Sequence, residues 1–372
     1  MNEAKQHNQK ALQNILREIR EHGPLDFARF MQLALYAPGL GYYSAGNIKF
    51  GKDGDFVTAP EISSLFSQCL AQQCAQILGK IPGGAILELG AGRGVMAHDI
   101  LVHLQKLNSL PEKYFILEIS ADLRERQQEY LKKLGSQLFS KIEWLNAWPK
   151  NLKGLVLANE VLDAMPVKRF CYDHELLECY VTEKNGELVW LFDKPSMELK
   201  NALGDVEFPS PYLSEINDRL PAWFKSLSES MQEGVALFID YGFPRSEFYH
   251  PERNQGTLMC HFRHRAQDNP LINVGIQDIS AHVDFTAVAE AADDAGFEIL
   301  GYTTQALFLL SCGLEKLISY EADLLDNYNA AQKIKTLTLP SEMGELVKVI
   351  AVGKHFDNQL LGFEINNQLE RL

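Results

Sequence analysis

The sequence predicts a doubly wound α/β domain beginning near Ile86, on three observations. From Gly84 onward short apolar runs alternate with amphipathic stretches, a glycine-rich turn follows the first run, and an acidic residue ends the second. Apolar strands that alternate with helices form a mostly parallel sheet covered on both faces, because each crossover returns the chain in the same direction.

Ala85–Leu89 reads as the first strand, with a helix from Val95 to about Gln105. Tyr114–Glu118 is the second strand and Ala121–Leu134 its helix. Ile142–Leu145 and Leu155–Asn159 follow as the third and fourth strands, Val235–Tyr241 as the fifth, Phe297–Thr303 as the sixth and Val347–Gly353 as the last. Between the fourth and fifth, Arg169–Thr182 and Glu187–Phe192 read as hairpin strands around Asn185-Gly186, a pair suited to the positive φ of a tight turn. Tyr212–Met231 has helical spacing. A second insertion, Pro244 to about Ile279, is loop-like and rich in Arg, His, Asn and Pro; a loop of that length is usually functional or partly mobile. The N-terminal stretch Met1–Arg20 carries apolar residues at Leu12, Ile15, Leu16 and Ile19, again helical spacing. Five segments result: a helical N-terminal segment over 1–80, a first half-domain over 81–168, an inserted subdomain over 169–232, a second half-domain over 233–356 and a tail over 357–372.

The chain of 372 residues, 46% hydrophobic and 23% charged, has the composition of a globular protein with a substantial core. No apolar window is long enough for a membrane span, and the N-terminus lacks the features of a secretory or organelle signal, so a cytoplasmic location is expected. The six cysteines are scattered without a CxxC, which favours reduced core thiols. A formal charge of −14 argues against nucleic acid as the main partner, since phosphate binding needs basic faces. No metal site is expected: Cys260, His261 and His264 have suggestive spacing, but Arg263 and Arg265 interleave them and would repel a cation. The oligomeric state is not written in the sequence, and a homodimer is compatible with it.

The strongest local signal is Glu88-Leu89-Gly90-Ala91-Gly92-Arg93-Gly94, between a strand and a helix. Glycines let the backbone turn sharply and leave no Cβ where a cofactor lies against the chain. A dinucleotide fingerprint would place a third glycine at position 95, which is Val95. The acidic residue before the loop and the tighter spacing resemble motif I of class I methyltransferases. Glu118, ending the second strand, stands where a carboxylate accepts both ribose hydroxyls, and Asn146-Ala147, ending the third, where this fold contacts the adenine amino group. The plainer alternatives are a strand-to-helix turn and a solvated strand-end carboxylate.

Methyl transfer from a sulfonium is an in-line displacement, so the protein must chiefly align donor and acceptor and exclude water. The fourth strand ends Asn159-Glu160-Val161-Leu162-Asp163-Ala164-Met165-Pro166, without the Asn-Pro-Pro-aromatic signature of nucleobase methylation. Glu160 and Asp163 face one side if a helical turn begins there, and such a pair could hold a guanidinium with one nitrogen exposed to the methyl group. Alternatively Asp163 caps a short helix and Glu160 meets solvent or cofactor. His282, two residues before Asp284, could orient the acceptor or act as a base, while Asp284 or Ser280 could instead cap a helix through Ala287–Ala295.

Taken together, Gly41-Tyr42-Tyr43, Phe50-Gly51, Gly54-Asp55-Phe56-Val57-Thr58-Ala59-Pro60-Glu61-Ile62-Ser63, the glycine loop, Asn159–Val167, Ile239-Asp240-Tyr241-Gly242 and His282–Thr286 fall in an order that resembles the MidA family, the DUF185 group of class I methyltransferases. The resemblance runs from about Gly23 to Val352. It implies a seven-stranded sheet, S-adenosylmethionine as methyl donor, and a protein arginine as acceptor, as in the mitochondrial complex I assembly factor of the family. It also implies that Gly54–Ser63, including Gly54, Thr58 and Pro60, closes over the cofactor, and that Glu160 and Asp163 line the pocket. The expected cofactor residues are thus Glu88, Gly90, Ala91, Gly92, Gly94, Glu118, Asn146, Ala147, Gly54, Thr58, Pro60 and Asn159, and the expected catalytic ones Glu160, Asp163 and His282. Competing readings are a small-molecule or carboxylate methyltransferase, with Arg245–Arg265 recognising an anionic group, and an assembly module that docks through the hairpin and the 212–231 run. A dehydrogenase is harder to reconcile with Val95.

Overall fold

The computed structural model describes residues 2–44, 58–204, 206–263, 265–318 and 324–372. They fall into two units: one comprises residues 57–162, 221–242 and 285–372, the other residues 1–56, 163–220 and 243–284. Among the described residues no helix is long and apolar enough to cross a membrane.

The first of these units carries the predicted sheet. Ala85–Leu89 (β1), Tyr114–Leu117 (β2), Ile142–Leu145 (β3), Leu152–Asn159 (β4), Met231–Phe243 (β5), Glu298–Thr304 (β6) and Val347–Lys354 (β7) lie in the order β6-β7-β5-β4-β1-β2-β3. The strands from β3 to β5 run parallel, while β7 is antiparallel to both β5 and β6. All five residues of β1 are buried; neighbouring side chains point to opposite faces, so both faces of the sheet are covered there. In register, Leu89 lies beside Leu117 on one side and Ala158 on the other, and Leu117 beside Leu145. The carboxyl ends of β1, β2, β3 and β4 therefore line one edge. The strand order reverses between β1 and β4, and a crevice at such a switch point is where open α/β sheets bind ligands.

Two glycines permit this close strand packing. Gly154 of β4 and Gly234 of β5 are register partners, and Gly154 is also opposite Ala85 of β1. A Cβ on Gly154 would sit 2.0 Å from the Ala85 carbonyl oxygen, and one on Gly234 would sit 1.8 Å from that of Gly154.

The second unit corrects several expectations. Tyr212–Ile216 is a strand, antiparallel to Lys168–Tyr172, and only Leu220–Ser230 of the expected 212–231 helix is helical. The expected single strand Arg169–Thr182 is two, Lys168–Asp173 and Glu175–Lys184, folded on each other at His174, whose φ is 63°. The turn at Asn185-Gly186 has positive φ at both residues, 55° and 83°, as the hairpin reading requires. The insertion after Pro244 is not a plain loop: it holds a helical turn, Arg245–Phe248, and a small sheet of Met259–Phe262, Arg265–Gln267 and Asp278–Ser280. The N-terminal helix, Asn2–His22, buries Ile15, Leu16 and Ile19 as its spacing predicts.

Buried charges in this unit are compensated. Lys168 pairs with Glu178 at 2.9 Å and Asp26 at 3.6 Å. Burial opposes both charges, yet the Ser196 N–H and Lys168 hold the Glu178 carboxyl below its usual range, and Glu178 helps hold Lys168 above its own.

Candidate functional site

The glycine loop leaves β1 and enters a helix, Val95–Lys106 (α1), through three residues in the left-handed region: Gly90, Gly92 and Gly94, with φ of 61°, 53° and 84°. This conformation costs a residue with a Cβ about 1–2 kcal/mol, which is why glycine recurs here. No atom lies within 4 Å of a Cβ built on Gly92, so the loop is open at that point. Ala91, within the loop, is buried.

Glu118 follows β2, with one carboxylate oxygen accepting the Ser120 N–H at 2.9 Å and the other the Gln127 amide at 3.1 Å. Ser120 caps the helix Ala121–Leu131 (α2) through its side chain. Gln127 lies on the buried stripe Leu123, Gln127, Leu131 of α2, and the sequence reading missed it. Its NH2 also donates to the Gly92 carbonyl at 3.0 Å, and its oxygen accepts the Trp144 indole N–H at 2.9 Å. One amide thus ties the glycine loop, the Glu118 carboxylate and β3 together. Ile119, also missed, is 73% exposed beside Glu118, an unusual place for a large apolar side chain. Asn146 and Ala147 are exposed at the end of β3, where Arg124 of α2 donates to the Asn146 side chain at 2.7 Å.

Thr58 is half-buried and leads into a single helical turn, Ala59–Ile62, which contains the buried Pro60. Glu61 of that turn reaches Arg93 of the glycine loop at 3.4 Å; burial pushes its carboxyl up, against the pull of Arg93. Gly54 and its neighbours through Val57, the Phe50-Gly51 pair and His264 lie outside the described residues.

Glu88 has a different setting from the rest. It is 1% exposed, and its carboxylate accepts the Tyr114 hydroxyl at 2.7 Å beneath the loop. Burial, with a smaller contribution from the Glu118 charge, pushes its carboxyl up to about 7 against the Tyr114 hydrogen bond. The folded state therefore holds this proton more tightly than the unfolded chain. The stabilisation is complete below the unfolded pKa and is lost as pH rises through about 7, on the order of 3 kcal/mol in all. Glu88→Gln keeps an acceptor for Tyr114, and is expected to flatten the fall in Tm between about pH 5 and pH 8. Parallel melting profiles in parent and variant would count against this.

On the acceptor side, β4 ends at Asn159, whose amide donates to the Glu160 carboxylate at 3.3 Å, while its Oδ1 is buried without a hydrogen-bond partner. Glu160 has φ 52°, left-handed and unfavourable for a residue with a side chain. No helical turn begins there: residues 161–165 form an irregular turn, so the one-face spacing assumed for Glu160 and Asp163 is not realised. The two fall in different units, 160 in the first and 163 in the second.

In the second unit the Asp163 carbonyl accepts the Ala281 N–H at 3.0 Å, which sets the chain before His282 beside the Asp163 turn. The His282 N–H donates to the Thr257 hydroxyl at 3.1 Å, and its ring lies 5.3 Å from Phe243. Thr257 in turn donates its N–H at 2.8 Å to Glu215, a buried carboxylate paired with Arg169 at 3.2 Å. Burial raises the Glu215 carboxyl, with Arg169 and Thr257 opposing. Asp284 pairs with Arg245 at 3.1 Å. Two further side chains frame the Asp163 turn: Tyr36 donates to the Ala164 carbonyl at 2.7 Å and stacks on Tyr43, which donates to buried Asp278 at 2.9 Å. Burial, and after it the Asp278 charge, drives the Tyr43 phenol well above its ordinary value.

A glycine loop over a sheet switch point, with a carboxylate at the end of β2 and a polar turn after β4, is an arrangement that can hold a nucleoside beside an acceptor. Residues 69–303 match the model of a family described as S-adenosyl-L-methionine-dependent methyltransferase. The chain is 27% identical to the mitochondrial protein arginine methyltransferase NDUFAF7 of Danio rerio, over 93% of this chain and 87% of the relative. It is 26% identical to the Homo sapiens protein of that name, over 92% and 83%. A crystal structure from Burkholderia thailandensis bound to S-adenosyl-homocysteine matches with a TM-score of 0.95 at 38% identity, over 100% of this chain and 99% of that one. The chain belongs to this S-adenosylmethionine-dependent methyltransferase family, the MidA group that its motifs resemble, and S-adenosylmethionine is its methyl donor.

Proposed function

We propose that this methyltransferase modifies an arginine of a partner protein, with Glu160 as the residue that meets the guanidinium. The observation that carries the reading is the alignment with relatives named protein arginine methyltransferase over nearly the whole of both chains. The position of Glu160 supports it: a carboxylate following β4, at the sheet edge where the glycine loop also begins.

The residues present fit the cofactor. Open space at Gly92 admits a group against the backbone, and the orphaned Asn159 Oδ1 is an acceptor in want of a donor beside it. Glu118 would accept from the ribose hydroxyls, Ile119 would pack on the base, and Asn146 and Ala147 would meet its edge. Thr58 and Pro60 would cover the site, and Glu88 would support the loop from below.

When bound, S-adenosylmethionine supplies an electrophilic methyl group on sulfur. Glu160 would accept guanidinium N–H bonds, orient one nitrogen towards that carbon and take the proton the nitrogen sheds as its new N–C bond forms and the C–S bond breaks.

The test is to incubate the purified protein with methyl-labelled S-adenosylmethionine and protein extract from cells lacking its gene, then hydrolyse and separate the amino acids. Label in methylarginine is expected. Label in another amino acid, or only in small molecules, would reject the arginine acceptor.

A further inference from the structure

We propose that Asp240 is a positioning residue for methyl transfer, a buried carboxylate that clamps the turn presenting Glu160. The inference rests on the reading of Glu160 given above.

β4 and β5 are parallel neighbours with Asn159 opposite Ile239, and the chain must leave the ladder immediately after. The Glu160 N–H still donates to the Ile239 carbonyl at 2.9 Å, but its φ of 52° turns the chain out of the extended path. The next two N–H groups, of Val161 and Leu162, converge on a single oxygen of Asp240 at 3.1 and 2.9 Å. The other oxygen accepts the Tyr241 N–H at 2.8 Å. Asp240 is 1% exposed, so water cannot readily replace it.

Successive N–H groups that converge in this way form an anion-binding concavity, here filled from within the chain. These three N–H groups are all donors, and two of them share one oxygen; an asparagine must turn its NH2 either on the Tyr241 N–H or on the Val161 and Leu162 pair, and the second orientation opens the clamp. Without the clamp, the buried Leu162 N–H and the half-buried Val161 N–H would lose their acceptor and the left-handed residue would relax towards extended geometry. Glu160 would then swing away from the acceptor, with the glycine loop and Glu118 left in place.

The experiment compares the parent with Asp240→Asn, Glu160→Gln and the double variant, measuring the initial rate of label transfer to the same extract and calorimetric S-adenosylhomocysteine binding. Asp240→Asn is expected to lower the rate about 10- to 100-fold with product affinity unchanged. In the Glu160→Gln background it is expected to add nothing, because a clamp that works only through Glu160 has no second target. An Asp240→Asn variant with the parent rate, multiplicative losses in the double variant, or a matching loss of product binding would each overturn the clamp. A Glu160→Gln variant at full rate would instead reject the reading of Glu160 itself. Should the Asp240 variants not fold, amide exchange in the parent protein decides: protected Val161, Leu162 and Tyr241 amides are expected, and exchange at unfolded-chain rates at the first two would overturn the proposal.

Discussion

Glu160→Gln is expected to slow methyl transfer by about 10²- to 10⁴-fold while leaving S-adenosylhomocysteine affinity within a factor of about two. Glutamine keeps the volume of the side chain but turns one acceptor into a donor and cannot take a proton. A guanidinium, which only donates, is then faced by a group that repels part of it. Glu118→Ala is expected to behave in the opposite way: product affinity falls about 10- to 100-fold, because the carboxylate proposed to accept from the ribose is gone and Gln127 loses a partner. Calorimetry and label transfer on the two variants separate cofactor binding from acceptor chemistry. A Glu160→Gln variant that loses product binding as Glu118→Ala does would move Glu160 from the acceptor side to the cofactor side. One that transfers label at the parent rate would remove it from the chemistry.

The largest expected effect on stability is far from any reacting atom. Gly154→Ala would bring a Cβ to 2.0 Å from one backbone oxygen and 2.7 Å from a backbone nitrogen, both of Ala85, at φ 128°. Backbone strain and overpacking each cost about 1–3 kcal/mol, so a loss of about 4 kcal/mol and a fall in Tm of roughly 5 °C are expected. Gly92→Ala is the control: its φ is also positive, but no atom lies within 4 Å, so only the conformational cost of about 1–2 kcal/mol remains. Equal melting temperatures for the two variants would contradict the close approach of β1 and β4.

Much of this architecture could be read from sequence because buried parallel strands are apolar on both faces. Ala85–Leu87 and Leu155–Ala158 stand out as unbroken apolar runs, and the glycine loop follows from the backbone geometry it needs. Where the structure departs from expectation, the deciding contact is remote. Tyr212, Leu213, Ile216 and Leu220 have helical spacing, yet 212–216 is drawn into a strand by pairing with Lys168–Tyr172, 40 to 48 residues away. The fold-back at His174 has only Asp173-His174 to announce it, a weaker turn signal than Asn-Gly. The small sheet at 259–280 is built from short, polar strands without a two-residue period.

The candidate site divides in the same way. Gly90, Gly92 and Glu118 are legible because their chemistry is local to a strand end. Gln127 and Asp240 are not, because a polar side chain in a core has no period of its own. What Asp240 does depends on two N–H groups 78 and 79 residues away, and what Gln127 does on a carbonyl 35 residues away.

Gln127 also makes the site visible by light. Its oxygen holds the indole N–H of Trp144, while its nitrogen holds the loop and the carboxylate proposed to meet the ribose. Any shift of that amide on loading changes the polarity felt by one indole ring. Two of the other three tryptophans, Trp148 and Trp223, pack edge-to-face on each other, and the third, Trp190, belongs to the second unit. The emission of Trp144 is thus coupled to the cofactor step through a single hydrogen bond, an intrinsic fluorophore that needs no label.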